Sequence, residues 1–226
     1  MFKILKLTII TSLLCLSGQV KNAYASNVYE RFPSQINITE KYVFYSHGLI
    51  VEGENTTPIS PRWGVYEFPK VKAALTSEHY NLIAYHRAKN TKPRAFAKKL
   101  ASDVNLLIKK GVKPENISLV GFSRGGGITI LASSYINSST INIVLLATCS
   151  NFMKGHVEFT VVGNFHSIYE TSDDNGSCQF LVDQSDKVST MQEIVISTGK
   201  EHGAFYQPLP EWIIPVKAWL ESAGDK

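Results

Sequence analysis

Residues Ile143-Val144-Leu145-Leu146 are apolar at four consecutive positions. A strand with one wet face alternates apolar and polar residues. A run without alternation has to be covered on both faces, as in the middle of a parallel sheet. Similar runs recur along the chain: "KYVFYSHG" at 41–48, "NLIAYHR" at 81–87, "ISLVGFS" at 117–123, "INIVLLATC" at 141–149, "VEFTVVGN" at 157–164 and "EIVIST" at 193–198. Helix-like segments stand between several of them. "YEFPKVKAALTSEHY" is one, over 66–80. The clearest carries Phe96, Leu100, Val104, Leu107 and Ile108 at steps mostly of three and four, with lysines on the other face and Gly111 at its end. Another follows residue 124. A last one ends in "WIIPVKAWLES", where Pro215 either kinks the helix or delays its start. The pattern predicts an α/β fold of about six mostly parallel strands with helices on both faces.

The chain has 226 residues, enough for one domain with a sizeable core. The first 25 read as a secretory signal. Lys3 and Lys6 precede a mostly apolar stretch from Leu7 to Leu16, and "AYA" at 23–25 has the small-x-small form of a cleavage site. The stretch is too short to span a bilayer, and Leu14 before Cys15 argues against a lipid-anchored cysteine. A mature domain over 26–226 is therefore expected, secreted or periplasmic, without stable membrane insertion after cleavage. Residues 26–35 read as a short polar arm. Without Lys3, Lys6 and Lys21 the formal charge falls from +4 to +1. There is no basic tract with interleaved aromatics, so nothing points to nucleic acid. Cys149 and Cys178 remain, either bridged in an oxidising compartment or as two separate thiols.

In open parallel sheets ligands sit beyond the carboxyl ends of the strands. That rule singles out His47, His86, Ser123, Cys149 and the segments after Gly163 and Thr198. Ser123 stands in "GFSRG", with Gly121 and Gly125 two residues to either side, a strand before and a helix after. A turn tight enough to lift a serine hydroxyl above a sheet favours glycine at both positions. The helix N-terminus that follows favours negative charge developing at Ser123.

With "SHG" at 46–48, an acid after the next-to-last strand and "EHG" at 201–203 before the last helix, the chain resembles the α/β-hydrolase superfamily over roughly residues 40–222. It is similar to small exported bacterial members, with a trimmed start to the sheet and no large lid domain. The resemblance implies a serine hydrolase that cleaves an ester or related acyl bond through an acyl-enzyme. An acyltransferase on the same residues and an inactive hydrolase fold used for binding stand as alternatives. The nucleophile–acid–histidine order fits Ser123, Asp173 and His202. His166 is the rival base, and Asp174 stands close behind Asp173. Glu170 sits too early, and Asp183 and Asp186 read as solvated or capping groups. His79 and His156 read as solvated or loop residues. The oxyanion donors implied are the backbone N–H groups of Arg124 and Leu49, with His47 pinning the Leu49 loop. His86 and Arg87, with Lys89 and Arg124, either form a solvated basic loop or line the pocket, and in the second case an anionic acyl substrate is suggested. No metal-ligand spacing or dinucleotide fingerprint occurs, so no metal or cofactor is expected.

Overall fold

The structure, a computed structural model, describes residues 28–225. The proposed signal segment therefore lies outside the described residues. Seven parallel strands form one sheet in the order β1-β5-β2-β6-β7-β8-β9. They are β1 (Val28–Tyr29), β2 (Tyr42–Ser46), β5 (Asn81–Ile83), β6 (Ile117–Phe122), β7 (Asn142–Leu146), β8 (Val162–Glu170) and β9 (Lys187–Ile196). A small antiparallel ribbon, β3 (Ile59–Ser60) with β4 (Gly64–Val65), stands apart. The helices are α1 (Phe68–Ala74), α2 (Pro93–Lys110), α3 (Arg124–Ile136), α4 (Gln179–Asp183) and α5 (Pro210–Ser222).

Successive residues of a strand point to opposite faces, and the core divides accordingly. On one face Phe44, Leu119, Ile143, Leu145 and Phe165 pack with Leu100, Val104 and Leu107 of α2 and Ile128 of α3. On the other, Val43, Tyr45, Val120, Val144, Leu146 and Ile168 pack with Val71 of α1 and Trp212, Val216 and Leu220 of α5. Both faces are covered, as the unbroken apolar runs require.

Three elements differ from the sequence reading. The arm at 26–35 contributes β1, which pairs with β5 through Leu82 and Ile83. Two paired residues are too short to leave a period in the sequence. The "VEFTVVGN" strand is displaced: pairing begins at Val162, a bulge falls between Gly163 and Asn164, and the strand runs on to Glu170. Val157 to Val161 belong instead to the loop after β7. The helix predicted over 66–80 shortens to the seven residues of α1. Pro215 lies inside α5, which starts at Pro210.

The strand order reverses at β2. From β2 the chain runs to β5 on one side, then returns to β6 on the other. The crevice between the carboxyl ends of β2 and β6 is the place where such sheets bind ligands. It is narrow because α3 starts almost in contact with β2. A Cβ on Gly125 would lie 1.9 Å from the Ser46 carbonyl oxygen, and one on Gly121 would lie 2.6 Å from the Gly125 carbonyl. Both obstacles are backbone and cannot rotate away. Gly127, two residues further on and so on the other side of the helix, faces only the Met153 side chain, 3.8 Å from such a Cβ. Gly125→Ala is therefore expected to cost about 3 kcal/mol or more, at the upper end of overpacking. Gly127→Ala should be neutral or stabilise by up to about 1 kcal/mol. Chemical denaturation of both variants measures the contrast; equal midpoints would refute the close-approach account.

Candidate active site

Ser123 sits between the last residue of β6 and the first of α3 with φ 53° and ψ −119°, a conformation costly for a residue with a Cβ. Its N–H donates to the Leu146 carbonyl at 3.0 Å, and its carbonyl accepts from Gly127 N–H at 3.1 Å. Anchored on both sides, the backbone holds Ser123 at the switch-point crevice.

His202 lies in a 3-10 turn, Glu201–Phe205, after β9. Its Nδ1 bonds Asp173 Oδ2 at 2.7 Å. The carboxylate selects the Nδ1–H tautomer, which leaves Nε2 as a proton acceptor. The imidazole is buried, with the side chain 9% exposed. It packs against Phe122, the residue before Ser123, at 4.8 Å between ring centroids, and against Trp63 at 5.0 Å. Trp63 comes from the turn of the β3–β4 ribbon. Its indole N–H donates to Glu201 Oε2 at 2.9 Å, and Arg62 pairs with the same oxygen at 2.6 Å.

Asp173 follows β8. Its side chain is buried, and its Oδ1 accepts from Asn175 N–H at 3.0 Å. Asp174, by contrast, is 84% exposed and 3.6 Å from Arg62. His166 stands in the middle of β8, opposite Val144 and Gln192, and stacks on Trp219 at 4.5 Å. That places it inside the sheet, away from the carboxyl ends. Cys149, after β7, is disulfide-bonded to Cys178 at the start of α4, with Cα atoms 5.2 Å apart. The bridge closes the segment carrying Asp173 against the end of β7.

Glu170, the last residue of β8, joins the Asp173 loop to the loop leading to His202. It accepts Ser172 N–H at 2.7 Å and Ser172 Oγ–H at 2.5 Å on one oxygen. The other oxygen accepts Thr198 N–H at 2.7 Å and Gly199 N–H at 3.0 Å. Burial alone pushes its carboxyl up, but these hydrogen bonds together outweigh burial and take it down to about 2.

The loop after β2 is held from beneath. His47 is fully buried. Its Nδ1 bonds the Gly48 carbonyl at 2.7 Å, and its Nε2 accepts Arg87 N–H at 3.0 Å. Burial first, then the nearby Arg87 charge, lowers its pKa to about 2, so it stays neutral. Leu49 opens the short 3-10 turn Leu49–Val51, and its carbonyl accepts Glu52 N–H at 2.9 Å.

The expectation that His86 and Arg87 line the pocket is corrected by the structure. Arg87 is 2% exposed. Its guanidinium is tied to Glu52 Oε1 at 3.2 Å and to the His47 carbonyl at 2.5 Å. His86 bonds the Val51 carbonyl at 2.6 Å. Both side chains support the loop from behind, because the strand end turns them under it. Arg124 does border the cleft, but its Nε also bonds Glu52 Oε1, at 3.1 Å, and its Nη2 donates to the Thr91 carbonyl at 2.9 Å. Glu52 thus neutralises much of the cationic cluster that suggested an anionic substrate.

A cleft of about 560 Å³ opens beside Ser123. Gly127 and Leu131 of α3 form its floor, and Phe152, Met153 and Phe159 form one wall. Arg94 of α2 and Glu158 form an ion pair at its rim. Sequence reasoning missed this wall, along with Trp63 and Glu52. Phe152 and Met153 fall in a single 3-10 turn, Asn151–Met153, too short to leave a period, and Trp63 reaches His202 only through a ribbon two residues per strand. Among the described residues no group of three or more metal-ligating side chains is clustered, and no helix is long and apolar enough to cross a membrane.

Since the Glu170 carboxyl is held below its usual range of about 4.5, it contributes stability above that value and loses it as pH falls toward 2. Glu170→Gln should lower the unfolding free energy at pH 7 by about 1–3 kcal/mol, for a charged acceptor bound to backbone N–H groups. It should also flatten the loss of stability between pH 5 and about 2. Denaturant melts across that range check it; parallel pH curves for variant and wild type would contradict the assignment.

No protein-family model matches the chain, and no curated protein matches it in sequence. Solved structures do. Arabidopsis thaliana SOBER1 superposes with a TM-score of 0.53 at 15% identity, over 81% of this chain and 99% of that one. An arylesterase gives 0.53 at 11% identity, over 81% and 76%. DcsB in complex with a substrate analogue gives 0.52 at 10%, over 81% and 91%. Identities this low speak for the fold. Parallel strands reversing at a central switch point, a serine on the turn after the strand at that point and the match to these structures together make this chain an α/β-hydrolase fold.

Proposed function

We propose that the protein is an exported serine hydrolase that cleaves a small-molecule ester, or a related acyl bond, through an acyl-enzyme. The observation that carries the reading is the buried Asp173–His202 hydrogen bond, with the imidazole packed on Phe122, the residue before Ser123. In this mechanism Ser123 Oγ attacks the substrate carbonyl carbon while His202 Nε2 takes the hydroxyl proton. Asp173 holds the imidazole and stabilises the cation that forms. The carbonyl oxygen becomes an oxyanion, held by the N–H groups of Arg124 and Leu49. The intermediate collapses with the C–O bond breaking, and His202 returns its proton to the leaving alcohol. Water, deprotonated by the same imidazole, then attacks the ester on Ser123; the acid leaves and Ser123 regains its proton.

The tie between Cys149 and Cys178 supports export, because such bridges persist in oxidising compartments. The similarity to an arylesterase supports ester chemistry.

Ser123→Ala and His202→Ala are each expected to lower kcat on p-nitrophenyl acetate more than about a thousandfold, and the double variant little further, because such residues act as a unit. A fluorophosphonate probe should label the wild type and leave Ser123→Ala unlabelled. Turnover at the wild-type rate in Ser123→Ala, or a wild type that neither labels nor turns over ester, would sink the reading.

A further inference from the structure

We propose that the cleft selects an uncharged apolar chain on the ester. This rests on Ser123 as the nucleophile. Ser123, Gly127 and Leu131 follow each other at four-residue steps, so they share one face of α3. At 1.5 Å per residue the cleft floor runs roughly 12 Å from the nucleophile along the helix. Gly127 adds no side chain to the floor, and the Met153 methyl is the nearest group, 3.8 Å from where a Cβ would lie. The wall opposite is aromatic, with Phe152 and Phe159 in edge contact at 5.5 Å between centroids, and Met153 beside them. The charges at the rim are already engaged: Arg94 with Glu158, and Arg124 with Glu52, which it shares with Arg87. A charged chain would have to compete with these pairs, whereas each buried methylene would gain apolar contact. The volume, about 560 Å³, suits a medium-length chain.

Two series of esters test this, one with the acyl group lengthened from acetate to octanoate and one with the alcohol lengthened on a fixed acetate. In one of the two, kcat/KM should rise about three- to fourfold per methylene until the cleft is full. The series that rises identifies which half of the ester occupies the cleft. Gly127→Leu fills the floor, and the ratio of long-chain to acetate kcat/KM should drop at least tenfold. Acetate turnover with flat dependence in both series, or a ratio unchanged in a folded Gly127→Leu, would overturn the cleft assignment alone. Absence of any turnover or labelling in the wild type would instead overturn the nucleophile.

A separate set of contacts carries a second inference. We infer that Glu52 is a positioning residue that couples the two oxyanion donors, again on the basis of the proposed hydrolase chemistry. One of its oxygens accepts from both Arg124 Nε and Arg87 Nε, at 3.1 and 3.2 Å, and its side chain is 3% exposed. Arg124 supplies one donor N–H. Arg87 grips the carbonyls of His47 and Gly48, and so sets the peptide that leads into Leu49, the other donor. Glu52 N–H closes back on the Leu49 carbonyl. One carboxylate therefore spans the crevice between the β2 loop and the start of α3.

Glu52→Gln keeps the shape and removes the charge. It should lower kcat about tenfold or more while KM changes little, the pattern for an interaction made in the transition state. It should also weaken binding of a trifluoromethyl ketone, which forms the oxyanion on Ser123, far more than binding of the matching alcohol. Arg124→Lys, on a half-buried side chain, cuts the same link from the other end and decides the matter if Glu52→Gln does not fold. A purely structural role predicts lower thermal stability with kcat and ketone affinity within about twofold of wild type. That result in a folded variant would overturn the inference.

Discussion

The contact on which the site depends is the approach of α3 to the end of β2, glycine against backbone. Gly125 lies where any Cβ would enter the Ser46 carbonyl. Only that closeness lets a serine on the following helix and a peptide from the neighbouring strand's loop face one reacting atom. The helix dipole and the N–H of Arg124 then point into the crevice without side-chain rearrangement. The cost is a strained Ser123 backbone, which the surrounding strand and helix hold in place. Preorganisation of this kind is worth more to charge stabilisation than any single flexible side chain.

The opposite side of the crevice is organised by polar groups that touch no substrate. Glu170 gathers the loops after β8 and β9, and those loops bring Asp173 and His202 to one hydrogen bond. Glu52 gathers the β2 loop and α3. Both are buried carboxylates with donors already in place: Glu170 on both oxygens, Glu52 on Oε1, which two arginines share. Trp63 closes over the imidazole and keeps its hydrogen bond to Asp173 away from solvent.

The strands and the nucleophile turn were legible because they obey local rules. Apolar runs without alternation require a covered sheet, and Gly121 and Gly125 around Ser123 require a tight turn. Cys149 and Cys178 were legible as a possible pair, and the structure bonds them. What escaped were placements decided across the fold. Arg87 reads as an exposed cation after a strand, yet the chain turns it beneath the β2 loop, where Glu52 meets its charge. "VEFTVVGN" has the composition of a strand, but β8 starts only at Val162 and pairs with β7 only from Asn164, while Glu158 and Phe159 of the preceding residues line the cleft. The two residues of β1 carry no periodic signal and pair only because β5 offers an open edge.

The bridge between Cys149 and Cys178 spans 29 residues, with Val157 on its exposed outer turn and β8 within it. Exposed loop tips are where proteases cut. A chain nicked near Val157 remains one covalent molecule, because the disulfide joins the fragment that bears Ser123 to the fragment that bears Asp173 and His202. The cleft wall can thus be severed without releasing the acid and the base from the nucleophile.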